Sequence, residues 1–172
     1  MELEALIVEF NRVRDELIEA ISSVPPGLRD EAFVGDWDVK DIVAHTVGWD
    51  YVNIEALPDF CSGRLPAFFA RYDADWATIN AGLVARYRLA DSDASLATLR
   101  DSQGAFVDAM RRLRDDTALD TVAMWGRRRI TLRGMMGAVS RDESEHVAQV
   151  RAFLSSGPIG SAQAFDDAGW RI

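Results

Sequence analysis

Four stretches of this chain repeat their apolar residues every three or four positions, and none alternates them in the two-residue rhythm of a half-buried strand. The first covers residues 3–22, with Leu3, Leu6, Ile7, Phe10, Val13, Leu17 and Ile21 on one face and charged residues on the other. Pro25-Pro26-Gly27 ends it, because proline lacks the amide hydrogen that a continuing helix needs. The second opens on Asp38, a good cap for the first amides, and Asp41 adds negative charge near the positive end of the helix dipole. Its apolar positions are Val39, Ile42, Val43, Val47, Trp49 and Ile54, and it is expected to stop at Leu57, before Pro58. The third runs from Asp91 or Ser92 to Leu113, on Leu96, Leu99, Phe106, Met110 and Leu113. The fourth is capped by Thr131 and ends before Gly157-Pro158, on Leu132, Met135, Met136, Val139, His146, Val150 and Phe153.

Four long helices without a strand or hairpin signal predict an all-α fold, a four-helix bundle over residues 1–156. Residues 157–172 are expected to form a mobile or loosely docked tail, with Trp170 as its anchor. Residues 58–92 read as a long connection of short helices, one turn around Phe68-Phe69 and one helix from Asp73 or Asp75 through Arg88. A connection of this length normally crosses the bundle or covers a site. Residues 115–130, with Trp125 and Gly126, read as a second connection.

A chain of 172 residues suits one domain and buries enough surface to fold without a metal or disulfide. Cys61 is the single cysteine, so no internal disulfide forms and a reducing cytoplasm is the default location. The acidic start Met1-Glu2-Leu3-Glu4 leads straight into a helix, so no signal peptide is expected, and no apolar run is long enough to span a membrane. The net charge of −9 argues against nucleic acid as a partner. Two basic runs stand out, Arg127-Arg128-Arg129 and Arg111-Arg112 with Arg114. Each reads as a solvated surface, or as an anion clamp for a substrate carboxylate, with Arg128 as the residue chosen.

His45 and His146 are the only two histidines, and each lies on the inward side of a helix. A lone inward histidine is more often a hydrogen-bonded core residue than a ligand. Here both face inward, and His146 has acidic neighbours: Asp142 lies about 40° to one side of it around the helix and Glu143 about 60° to the other. Periodicity leaves the choice between these carboxylates open. Two imidazoles and one carboxylate suit zinc, nickel, iron(II) or manganese and leave coordination positions free. The spacing Glu143-x-x-His146 also occurs in di-iron bundles, but those need a second such motif, which this chain lacks. The two-histidine, one-carboxylate set of non-haem iron oxygenases normally sits on a β-barrel instead.

Two segments resemble signatures of the DinB-like superfamily. Gly35-x-Trp37-x-x-x-Asp41-x-x-x-His45, followed by Trp49, resembles its second-helix motif, and Asp142-x-x-x-His146-x-x-Gln149-Val150-Arg151 resembles its fourth-helix motif. Thr78-Ile79-Asn80-Ala81 resembles the linker of the ClbS/DfsB branch. The resemblance implies a four-helix bundle with a long crossover between helices two and three. It also implies a metal site of His45, Asp142 and His146, which favours Asp142 over Glu143. Many relatives carry histidine where this chain has Asp142, and the mycothiol-dependent maleylpyruvate isomerase branch carries glutamate.

The function expected from these readings is a divalent-metal-dependent enzyme acting on a small molecule, as a transferase or isomerase that uses a low-molecular-weight thiol. Zinc or nickel leads, with iron or manganese behind, and a homodimer is the oligomer considered. The alternatives are a metal-free resistance hydrolase or a non-catalytic, stress-associated binding protein. In the hydrolase, Trp49, Tyr51 and Trp76 would line a cleft and Asn80 would orient the ligand.

Overall fold

The computed structural model describes residues 2–71, 76–113 and 116–156. Its elements are α1 (Glu2–Ser22), α2 (Val39–Cys61), α3 (Ala67–Arg71), α4 (Trp76–Tyr87), α5 (Ser92–Arg111) and α6 (Leu132–Ser156). A two-stranded hairpin, β1 (Ala123–Trp125) and β2 (Arg128–Ile130), precedes α6. The four long helices form the bundle: α1 packs on α5 and α6, α2 packs on α5 and, less extensively, on α6, and α4 lies against α2. The expected fold class is therefore the observed one.

The caps explain where α2 begins and ends. Asp38 accepts from the amides of Lys40 and Asp41 at 2.7 and 3.1 Å, and Asp41 accepts from the Asp38 amide at 3.0 Å. This reciprocal capping box satisfies three amides that the helix itself cannot. Arg88, just beyond α4, adds hydrogen bonds to Asp38 at 2.9 and 2.7 Å and a further one to Asp41. Asp91 caps α5 through the Ala94 amide at 2.7 Å, and Thr131 caps α6 through the Gly134 amide at 3.0 Å.

Two sequence expectations need correction here. Helix α2 does not stop at Leu57 but continues through Pro58 to Cys61. Pro58 faces solvent, while Leu57 and Phe60 are buried. Burying two large apolar side chains contributes about 1.5–3 kcal/mol each, which offsets the ~3 kcal/mol cost of proline in a helix. The end comes at Gly63, whose φ of +66° lets the amides of Gly63 and Arg64 bond back to Phe60 and Asp59. The second correction is the hairpin itself. Ala123 pairs with Ile130 and Trp125 with Arg128, and Gly126 makes the turn at φ +58°. Glycine at the first position of a two-residue loop fits such a turn, but three-residue strands are too short to show alternation.

The connecting helix lies closer to expectation, with α3 around Phe68-Phe69 and α4 ending at Tyr87. The proposed caps Asp73 and Asp75, Arg114, and the tail with Trp170 lie outside the described residues.

Beside a small cluster of Trp49, Ile79 and Leu83 between α2 and α4, the core has two apolar halves. One holds Ile7, Phe10, Ala56, Leu57, Phe60, Phe106, Met110, Met135, Met136 and Val139. The other holds Leu17, Ile21, Val43, Val47, Leu96, Leu99, Val147, Val150 and Phe153. In every long helix the boundary between the halves falls at a buried polar residue: Arg14 in α1, Asp50 in α2, Ser102 in α5 and Glu143 in α6. A polar layer thus crosses the bundle at mid-height, and the histidines lie beside it.

Candidate functional site

His45 comes from α2, and Asp142 and His146 come from successive turns of α6. One ligand atom from each of the three lies within 4.8 Å of the others. Asp142 Oδ2 is 3.1 Å from His45 Nε2 and 3.7 Å from His146 Nε2. The imidazole rings meet edge to face, 5.2 Å between centroids. Three ligands at 2.0–2.2 Å from one tetrahedral cation stand about 3.3–3.6 Å apart, so these side chains need shifts of only a few tenths of an ångström to over one to hold one ion.

The hydrogen bonds fix which histidine atoms are free. His146 Nδ1–H donates to Gln149 Oε1 at 2.8 Å, one turn along the same helix. The neutral ring then presents a bare lone pair at Nε2, which is buried and has no hydrogen-bond partner. That lone pair points at a carboxylate oxygen, an acceptor facing an acceptor, which a cation between them would reconcile. This is the orientation that an outer hydrogen bond imposes on a metal-binding histidine. His45 differs. Its Nε2–H donates to Asp142, while its Nδ1 is buried and unpartnered.

Burial pushes the His146 ring below its ordinary pKa, so it is neutral and available at neutral pH. Burial works against ionisation of Asp142, but the charge that the His146 ring carries in acid and the His45 hydrogen bond outweigh it and hold the carboxyl at about 2. The His45 and His146 side chains are 3% and 7% exposed and Asp142 is 23% exposed, so solvent reaches the site from the carboxylate side.

Glu143, the rival carboxylate, is elsewhere. It is fully turned toward Arg14, accepting from Nε at 2.8 Å and Nη2 at 2.6 Å. Arg14 also makes a bidentate pair with Asp50 at 2.8 Å for both bonds, and the Ser102 hydroxyl donates to Asp50 at 2.6 Å. The sequence reading missed this cluster. Its signal was present, since Arg14 interrupts the apolar stripe between Phe10 and Leu17.

The other chosen residues divide. Trp49 and Asn80 come together, with the indole N–H donating to Asn80 Oδ1 at 3.0 Å. Trp49 also meets Phe68 and Trp76 at 5.4 and 5.7 Å between ring centroids and stands 6.4 Å from His45. Trp37, not chosen from the sequence for any role at the site, is nearer still at 5.1 Å. Tyr51 does not join this wall but stacks on Tyr87. Arg128 lies exposed on β2 and makes no ion pair or hydrogen bond with His45, Asp142 or His146. The anion-clamp expectation for it therefore gains no geometric support.

A family model described as the DinB superfamily matches residues 2–150. No curated protein matched the sequence. Among solved structures, the mycothiol-dependent maleylpyruvate isomerase is similar, with 15% identity and a TM-score of 0.67. A histidine-to-alanine mutant of that isomerase is similar too, with 14% identity and a TM-score of 0.66. Each comparison covers 93% of this chain but only 62% of the other, so the likeness concerns the fold of a shared part.

Proposed function

Because the chain belongs to the DinB superfamily, we propose that it is a divalent-metal-dependent enzyme acting on a small molecule, a transferase or isomerase that uses a low-molecular-weight thiol. The observation that carries the metal is the buried, bare Nε2 of His146 converging with His45 and Asp142. His45 and His146 would give neutral nitrogen donors and Asp142 one negative charge, a set suited to zinc or nickel, with iron or manganese behind them. When bound, such a cation supplies Lewis acidity, lowering the pKa of a bound water or thiol or polarising a carbonyl.

The chain's own residues set the rest. Gln149 holds the His146 ring in the tautomer that leaves Nε2 free. Trp37 and Trp49 flank His45 and keep water from that side. Asn80 fixes the Trp49 indole, so the wall presents a defined apolar surface to a substrate. The thiol is supported by the similarity of fold to a mycothiol-dependent isomerase.

Metal analysis of protein purified without a polyhistidine tag tests this reading. One equivalent of zinc or nickel is expected in the wild type, and none in a His45→Ala/His146→Ala variant. A wild-type protein that takes up no metal under saturating zinc and nickel rejects it. The direct hydrogen bond from His45 to Asp142 favours a second reading, a metal-free hydrolase or binding protein. An activity that survives chelation supports that alternative.

A further inference from the structure

Arg14 is completely buried, although it carries a charge and lies on α1, a helix that supplies no candidate ligand. Its guanidinium reaches both helices that do. On α2 it grips Asp50, five positions after His45. On α6 it grips Glu143, next to Asp142 and three positions before His146. Successive residues on a helix point about 100° apart. With Glu143 turned into Arg14, the side chain of Asp142 is therefore directed to the opposite border of His146, where His45 lies. A rotation of α6 by one residue would exchange the two carboxylates.

We propose that Arg14 is a positioning residue for the candidate metal site: by clamping Asp50 and Glu143 it fixes the α2–α6 seam and selects Asp142, not Glu143, as the carboxylate that meets His45. This rests on the metal reading only for its consequence; the His45–Asp142 contact exists without an ion. Four hydrogen bonds from one planar group constrain angle as well as distance, which an apolar contact would not. The cluster carries one cation against two carboxylates. Both carboxylate oxygens of Glu143 accept hydrogen bonds from Arg14, so Glu143 is committed to Arg14 and is no competitor for an ion.

The test compares full-length wild type, Arg14→Met, and Arg14→Met/Asp50→Leu/Glu143→Met. The triple variant leaves no unpaired buried charge, and replacing a buried ion cluster in this way is often neutral for stability. Imidazole nitrogen shifts in the metal-free proteins report the His45–Asp142 hydrogen bond. Cobalt(II) absorption and affinity report the ligand set. Both variants are expected to lose the His45 signature and to bind cobalt about 10–100-fold more weakly, the usual effect of removing an outer-shell partner. The triple variant is expected to do so while melting near the wild-type temperature, which separates positioning from stability. If Arg14→Met does not fold, the triple variant decides. A folded variant with the wild-type His45 signature and cobalt affinity overturns the proposal. A wild type that binds no cobalt, but whose His45 signature still depends on Arg14, rejects the metal reading and upholds the positioning role.

Discussion

Asp142 Oδ2 stands 3.1 Å from His45 Nε2, across 97 positions of sequence and two different helices. That contact joins the α6 pair to α2 and brings three candidate ligands together, two of them near in sequence and one distant. Asp142→Asn keeps the size of the side chain and removes its charge. It is expected to lower zinc affinity by more than the ~10–100-fold typical of an outer-shell partner. Competition against a chromophoric chelator measures this.

Gln149 is a subtler lever. Gln149→Leu removes the acceptor for His146 Nδ1–H and frees the ring to place its proton on Nε2. Zinc affinity is expected to fall about tenfold, with the melting temperature of the metal-free protein little changed. Isothermal titration together with thermal melts separates the two effects.

The acid side of the stability curve should report Asp38. Burial opposes its ionised form, but the hydrogen bonds from Arg88 and from the Asp41 and Lys40 amides outweigh burial and lower its pKa. A carboxyl whose folded value lies below its unfolded value adds stability above the unfolded value. That stability is lost as the pH falls from about 4 through the lower folded value. Asp38→Asn keeps a capping oxygen but does not titrate. Denaturant melts between pH 2 and 6 are expected to show a flatter acid limb for the variant.

At Gly48, α4 packs tightly against α2 through Leu83. A β-carbon there would stand 2.8 Å from Leu83 Cβ, which is not the flexible end of a side chain. Gly48→Ala is expected to cost about 1–3 kcal/mol and to push α4 outward. The Trp49–Asn80 hydrogen bond would loosen with it, giving a red-shifted tryptophan emission. Chemical denaturation followed by fluorescence reads both.

The helices were legible because their signals are local. Asp38, Asp91 and Thr131 each cap the helix expected of them, and the apolar stripes face the core. His45 and His146 were legible for a related reason, since inward polar residues stand out against an apolar stripe. The choice between Asp142 and Glu143 was not available from periodicity, because they flank His146 on either side. Only the position of a third helix decides it, through Arg14. Arg14 interrupts the apolar stripe between Phe10 and Leu17, but that break does not reveal its burial, because an arginine at a helix surface can bury its stem and keep its charge in water. The continuation of α2 past Pro58 was hidden too, because it depends on what buries Phe60.

The polar layer also bears on how the chain reaches its fold. Arg14 bonds to partners 36 and 129 positions away, and Asp50 to a partner 52 positions away. No pair of sequence-adjacent helices can complete that set. An intermediate that buried Asp50 or Glu143 in a dry core before α1 docked would hold an unpaired charge, at a cost of several kcal/mol. The same cost falls on a bundle assembled with one helix shifted by a turn. The layer thus acts as a late checkpoint in assembly, separating the native packing from compact rivals whose apolar faces would otherwise serve nearly as well.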